Sequence, residues 1–494
     1  MRYADNVVLQ RRRAGILLHI TSLPGGQGQG DFGHDAYRFI EFLAASGVAV
    51  WQILPLCPTH NDLSPYLGLS VHAGNPMLIS LDWLIDHGLL TREAMTQTAP
   101  SIREHRQRCL LSAYQTFHSK PENTLHEAYS KFCAGTTWLD DFVFYTVLKK
   151  INNNSSWWQW KTEWRDRSVD ALLRLQETYT DDCNEIRFEQ FIFQQQWQEL
   201  RAYAHRHKVL IFGDMPIFVA HDSAEVWAQR DLFALDKEGR AQFVAGVPPD
   251  FFSASGQRWG NPHYDWAAMQ ANGFSWWVSR IDTELARVDM LRIDHFRGLQ
   301  AYWSIPAKSA TAIEGEWVAA PGEALLQTLK DRFAQLPLIA EDLGTITPEV
   351  NALREKFNLP GMKILQFAFD GNPHNPYLPH HHVYDSVVYT GTHDNDTIMG
   401  WFSSLDNTTQ KYVLRYLRQS IESMPWSFIA KSLESVSALA IIPMQDVLAL
   451  GPGNRMNIPG TEQNNWSWRF RWNMCAPDLA AKLRDLIVLY DRMH

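Results

Sequence analysis

Three apolar runs in this chain end abruptly in carboxylates, and their neighbours decide what chemistry those carboxylates can do. Met290-Leu291-Arg292-Ile293-Asp294-His295 closes on Asp294, Leu338-Ile339-Ala340-Glu341-Asp342 on Glu341, and Tyr389-Thr390-Gly391-Thr392-His393-Asp394 on Asp394. Taken singly, each carboxylate could equally be half of an ion pair at a strand end. Brought to one point, they suit glycosyl chemistry, in which one acid is the nucleophile and another the proton donor. The sequence offers neither metal-ligand spacing nor a Ser-His or Cys-His pairing for another chemistry. Arg292 precedes Asp294 by two residues, on the same strand face, and can hold that carboxylate ionised and nucleophilic. Glu341 follows Leu338-Ile339-Ala340, an apolar setting that raises a carboxyl pKa and keeps it protonated to serve as the acid.

Strand ends can meet only if the strands share a sheet. Eight apolar, β-branched runs bounded by turn residues recur along the chain: 15–20, 48–56, 209–216, 290–295, 338–342, 362–369, 386–392 and 438–444. Helix-length amphipathic stretches separate them, the pattern of βα units. Eight such units predict an α/β fold, a (β/α)8 TIM barrel whose active site lies at the C-terminal ends of its strands. From about 81 to 207 the sequence is helical in type, which predicts a mainly helical insertion subdomain after the second strand. The catalytic barrel is then formed by 1–80 and 208–494. A second excursion, 220–277, is rich in Gly, Pro, Asp and aromatics and reads as long loops over the C-terminal face.

Composition narrows the partners. The chain has 494 residues, 45% hydrophobic and 20% charged, with net charge −9. No run reaches the roughly 18 apolar residues of a membrane helix. A nucleic-acid partner would call for a basic face, so none is expected, and a neutral, polar substrate fits better. The five cysteines are scattered without C-x-x-C spacing, which predicts neither disulfides nor a zinc site and suits a reducing cytoplasm. His380-His381-His382 reads as surface loop rather than a metal site, because neighbours in an extended segment face opposite ways. Gly28-Gln29-Gly30-Asp31-Phe32-Gly33 has the glycines of a nucleotide-binding turn. It lies too far past the first run, however, and the next run ends in Leu54-Pro55-Leu56-Cys57 with no carboxylate for a ribose. No cofactor and no metal is therefore expected. Twenty tryptophans serve mostly as packing, with a few available to stack on sugar rings.

Longer motifs carry a resemblance. Trp51 to Pro55, Ser64-Pro65-Tyr66, Gly246 to Ser253, Gly256 to Pro262, Arg292 to Gly298, Ala340 to Gly344, Gly391 to Thr397 and Asn465 to Arg469 resemble the amylomaltases, the bacterial 4-α-glucanotransferase (disproportionating enzyme) family. The resemblance implies a cytoplasmic transferase of α-1,4-glucans and malto-oligosaccharides, monomeric or weakly homo-oligomeric. It implies Asp294 as nucleophile, Glu341 as general acid/base and Asp394 as transition-state stabiliser. Sugar contacts are implied at Ser64, Tyr66, Asp250, Gln257, Trp259, Arg292, His295, Asp370, His393 and Asn465. Two departures stand out. His60-Asn61-Asp62-Leu63 replaces the family's frequent Gly-Tyr-Gly-Asp, so a second glucan-binding groove that needs the tyrosine is in question, and Leu67 stands where Gln is common. An α-amylase-type hydrolase and a non-catalytic glucan-binding protein are the alternatives.

Overall fold

The computed structural model describes residues 7–493 apart from 27, 98, 121, 250–252 and 462. Each apolar run overlaps one parallel strand: β1 (Arg13–Leu17), β2 (Val50–Gln52), β3 (Leu210–Pro216), β4 (Met290–Asp294), β5 (Leu338–Ala340), β6 (Gly361–Ile364), β7 (Ser386–Tyr389) and β8 (Leu439–Pro443). Seven parallel ladders join them in chain order, with β8 beside β1. At the remaining seam the Ala340 N–H donates to Pro360 O at 2.9 Å, and the Met362 N–H donates to the Asp342 carboxylate at 2.7 Å. The sheet is thus a nearly closed (β/α)8 barrel, as the spacing of the runs predicts.

Period-two alternation separates two cores. Phe212, Met290, Ile339, Ile364, Val387, Leu439 and Ile441 fill the barrel, while Ile211, Leu291, Ile293, Ala440 and Ile442 face the surrounding helices. Parity therefore turns Arg292 and Asp294 inward with Met290. Gly15 is required for the fill, since a Cβ there would lie 2.4 Å from Ile441 and 3.0 Å from Val50.

Between β2 and β3 the described residues of 81–207 hold helices and turns. The longest helix, Thr180–Arg206, has Asp181 and Asp182 in its first turn and His205 and Arg206 in its last, the polarity its dipole favours. It faces two ways. Phe188 and Phe191 meet Phe117 and Tyr129 of neighbouring helices, whereas Phe193 and Trp197 meet Phe32 after β1.

Two sequence expectations need correction. The excursion 220–277 contains regular structure: Phe243–Val247 and Gln257–Pro262 pair antiparallel, and Ala301–Pro306 and Glu316–Ala319 complete a four-stranded sheet. Gln-Arg-Trp-Gly-Asn-Pro has little strand propensity, so its extended form comes from tertiary pairing. Nor is the histidine triplet an extended surface loop. Pro379–His381 is a 3-10 turn, and His382 is buried beside Ser435 Oγ at 2.7 Å.

The Gly28–Gly33 segment is a packing seam. Asp31 accepts from the Gly33 N–H at 2.9 Å and pairs with buried Arg106 at 3.2 Å, and a Cβ at Gly30 would lie 2.0 Å from Ile20 O. All five cysteines are free thiols. Among the described residues no helix is long and apolar enough to cross a membrane.

Arg492 closes the N-terminal end of the barrel. Its buried guanidinium donates to the carbonyls of Arg13, Leu433, Ser435, Ser437 and Ala438, spanning the start of β1 and the approach to β8. Arg492→Leu removes these bonds from the buried carbonyls, leaving Leu433 and Ser435 to Arg12 and Ala438 to the Arg13 N–H, and we expect a loss of about 2–4 kcal/mol. Urea unfolding should show a lower midpoint at unchanged slope; an unshifted midpoint would contradict the assignment.

Candidate active site

The site starts from strand register. Asp214 on β3 is paired with Arg292 on β4, and Pro216 with Asp294. Arg292 Nη1 donates to both Asp214 oxygens at 2.7 and 2.6 Å, and Nη2 donates to Asp294 Oδ1 at 2.8 Å. Arg292 is 4% exposed and Asp214 1%, while the Asp294 side chain is 29% exposed. Burial works against the guanidinium, but Asp214 and Asp294 outweigh it and hold the cation well above its ordinary pKa. Burial likewise pushes the Asp214 carboxyl up, against the pull of Arg292.

Glu341 follows the three buried residues of β5. Its Oε2 accepts from the His295 N–H at 2.6 Å and its Oε1 from the Leu343 N–H at 3.0 Å. His295 adopts a left-handed φ of 54°, which turns the chain just past Asp294 and presents that N–H to Glu341. Desolvation, opposed by Arg292 and reinforced by Asp294, pushes the Glu341 carboxyl up to about 8. The neighbouring acids therefore have opposite settings, Asp294 on a cation and Glu341 on an apolar strand end. The His295 ring packs edge-on to Trp259 with centroids 4.9 Å apart. Its Nε2 is buried without a partner, and burial lowers its pKa to about 4.

Asp394 lies past β7. Its side chain is 46% exposed, and its Oδ1 accepts from Asn457 Nδ2 at 2.6 Å. The Arg455 guanidinium donates to the Asp394 carbonyl at 2.6 Å. His393 Nε2 sits 3.5 Å from Asp394 Oδ2, and its ring stacks on Tyr66 at 5.0 Å and 21°. The Tyr66 hydroxyl donates to Asp214 Oδ2 at 2.9 Å. Trp466 packs 5.7 Å from Tyr66 and 5.8 Å from His393, on backbone with φ of 60°, a left-handed value that costs a bulky residue strain. A continuous chain of contacts thus runs from Asp294 through Arg292, Asp214, Tyr66 and His393 to Asp394.

Other residues singled out by sequence sit around this chain or apart from it. Ser64 Oγ accepts from the Tyr66 N–H at 3.3 Å. Gln257 accepts from Trp259 Nε1 at 3.2 Å on the four-stranded sheet. Asp370 is exposed and accepts from the Asn372 N–H at 2.9 Å within its own turn. The Asn465 amide is engaged with the Ile458 N–H and the Thr461 carbonyl, at 2.9 and 2.8 Å, so it braces its own loop. Asp250 lies outside the described residues. Sequence reasoning passes over Asp214, Arg455, Asn457 and Trp466. For Asp214 a signal exists, since Leu210-Ile211-Phe212-Gly213 leads into it as an apolar strand.

Residues 18–474 match the model of the 4-alpha-glucanotransferase family. The chain belongs to that family. It is 44% identical over 499 residues to a 4-alpha-glucanotransferase of Synechocystis sp., covering 98% of this chain and 99% of that one. Against the 4-alpha-glucanotransferase of Thermus thermophilus it is 43% identical over 504 residues, with coverage of 98% and 99%. An amylomaltase from Streptococcus agalactiae, solved in complex with acarbose, superposes with a TM-score of 0.94 at 35% identity, over 98% of this chain and 100% of that one. The resemblance read from the motifs therefore holds across nearly the whole chain.

In this family member, Arg292→Gln leaves Asp214 buried with no cation. We expect a loss of about 3–5 kcal/mol at neutral pH. Such a carboxyl has a raised folded-state pKa, so its penalty is absent below its unfolded pKa and grows as pH rises through the folded one. Urea unfolding between pH 5 and 8 should show the variant's deficit widening with pH; a small, pH-independent deficit would sink this reading of the pair.

Proposed function

We propose that this chain cleaves α-1,4-glucans and transfers the glucanosyl unit to the 4-hydroxyl of an acceptor glucan or glucose, by a retaining double displacement. Support comes first from the Asp294–Glu341 pair on adjacent strand ends, one carboxylate against a guanidinium and the other desolvated on an apolar strand end. In the first half, an Asp294 oxygen bonds to the anomeric carbon while Glu341 gives its proton to the departing glycosidic oxygen. In the second, the acceptor 4-hydroxyl attacks that carbon, Glu341 takes its proton, and the bond to Asp294 breaks. Two inversions return the α configuration. Asp394, with an exposed carboxylate held by Asn457, stabilises the developing positive charge and distorts the ring. Ser64, Tyr66, Asp250, Gln257, Trp259, Arg292, His295, Asp370, His393 and Asn465 hold the sugars, with Asp250, Asp370 and Asn465 resting on the family motif alone.

Malto-oligosaccharides are the proposed substrates. We place the protein in the cytoplasm, as a monomer or weak homo-oligomer, and read 81–207 as a helical subdomain with Thr180–Arg206 as its stem on the barrel. A hydrolase could use the same acids, and the acceptor separates the two. With pure maltotriose we expect glucose together with oligosaccharides longer than the substrate, resolved by chromatography. Glucose and maltose alone, with nothing longer, would point to hydrolysis.

Glu341 also sets a pH limit. Below about 8 its carboxyl carries the proton that the first half-reaction consumes, and above it the proton is lost. The profile of kcat/KM, which reports the free enzyme, should fall on the alkaline side with an apparent pKa near 8. Glu341→Gln should abolish most activity together with that limb. A profile flat through alkaline pH would remove Glu341 from the acid's role.

A further inference from the structure

Behind the loop that carries His393 and Asp394 lies a carboxylate that the reaction does not use. Asp446 sits just past β8 in the short helix Met444–Val447 and is 1% exposed. Its Oδ2 accepts from the Thr390 hydroxyl at 2.8 Å, directly after β7. Its Oδ1 accepts from the Ile398 N–H at 2.7 Å, at the start of helix Ile398–Ser404. One side chain thereby ties both ends of residues 391–397.

Three observations argue that this tie is more than packing. A buried carboxylate is costly without a counter-charge, and the charged neighbour that acts on Asp446 is Asp396, of like sign. Burial, opposed by its two donors, pushes the carboxyl up to about 7, and an uncharged amide can keep both contacts by accepting from Ile398 and donating to Thr390. A small cleft also lies against the loop, lined by Thr392, His393, Asp396, Asp446 and Arg455 among others. Its remaining braces come from other elements as well: Gln366 Nε2 donates to the Asp396 carbonyl at 2.8 Å, Arg455 to that of Asp394, and Asn457 to the Asp394 carboxylate.

We propose that Asp446 is a positioning residue for glucan transfer, fixing both ends of 391–397 so that the Asp394 carboxylate stays where the reacting sugar needs it. It touches neither substrate nor reacting atoms. The inference rests on the role proposed for Asp394.

The test is a mutant cycle in the full-length enzyme, with kcat and KM measured on maltotriose and on α-maltosyl fluoride, whose fluoride leaves without a proton donor. Asp446→Ala should lower kcat about 10²-fold, the cost of a misplaced group, with KM little changed, since the lost interaction belongs to the transition state. Asp446→Asn, which can accept from Ile398 and donate to Thr390, should restore most of the rate. Thr390→Val removes one of the two donors and should cost about tenfold. In an Asp394→Asn background, Asp446→Ala should cost less than about twofold more, because both changes act through one group. A full, additive loss in that background would overturn the clamp, as would wild-type kcat in Asp446→Ala. If Asp446→Ala does not fold, Thr390→Val decides: tenfold loss supports the clamp, and wild-type kcat overturns it. Wild-type turnover in Asp394→Asn alone would instead overturn the role of Asp394 on which the clamp depends.

Discussion

A guanidinium buried in a barrel mouth must be paired on every side that faces protein, and Arg292 meets that demand with carboxylates from two strands. Removing an ion of this size from water costs several kcal/mol, offset only by good geometry and additional hydrogen bonds. Asp214 takes one terminal nitrogen through both of its oxygens and Asp294 takes the other. That geometry exists in a single register of β3 against β4. A one-residue slip would turn Arg292 outward and leave Asp214 facing the barrel without a cation. Charge pairing and strand pairing thus enforce one another. The rest of the site hangs from the same pair, through the Tyr66 hydroxyl on Asp214 and the Tyr66 ring against His393.

The barrel treats its neighbouring acids differently because their strands do. β4 carries a cation two residues before its carboxylate, while β5 carries only Leu338, Ile339 and Ala340, all buried. The backbone adds a second distinction. By turning left-handed at His295 it offers an N–H to Glu341, which restrains a carboxyl that burial alone would push further from ionisation. A desolvated acid beside a carboxylate paired with a guanidinium is an arrangement that suits acid and nucleophile roles.

Much of this was legible in the sequence, and what was not shares a cause. Apolar runs bounded by turns mark a parallel strand because both its faces are buried, so all eight could be located, though each strand proved shorter than its run, β2, β5, β6 and β7 most of all. Asp294, Glu341 and Asp394 were legible because an apolar run stops at each. Asp214 was not, since Met215-Pro216-Ile217-Phe218-Val219 continues the run beyond it and the carboxylate lies inside the strand rather than at its end. Arg455 and Asn457 carry no local signal at all, as their meaning lies in contacts with a residue about sixty positions earlier. The antiparallel sheet was missed for a similar reason. Gln257–Pro262 is extended only because Phe243–Val247 lies beside it.

In the proposed transfer the bond made is of the same type as the bond broken, so the second half-reaction runs the first in reverse on a new sugar. That symmetry constrains the protein more tightly than hydrolysis would. Glu341 must give a proton and take one back with comparable ease, which is most efficient when its pKa lies near the working pH. A carboxyl at the usual 4.3 would rarely hold the proton it has to give, whereas one with no hydrogen bonds to its ionised form would not release it. Burial, opposed by Arg292, reinforced by Asp294 and restrained by two N–H donors, gives the intermediate value of about 8. Symmetry also asks that the frame not relax between halves, since leaving group and acceptor must meet the same acid in the same place. Loops tied by buried side chains suit that need. Glu225 accepts from Ser70 Oγ and the Val71 N–H at the foot of the loop bearing Tyr66, and Asp446 holds the loop bearing Asp394. Both walls of the site are thus tied at their roots by buried carboxylates.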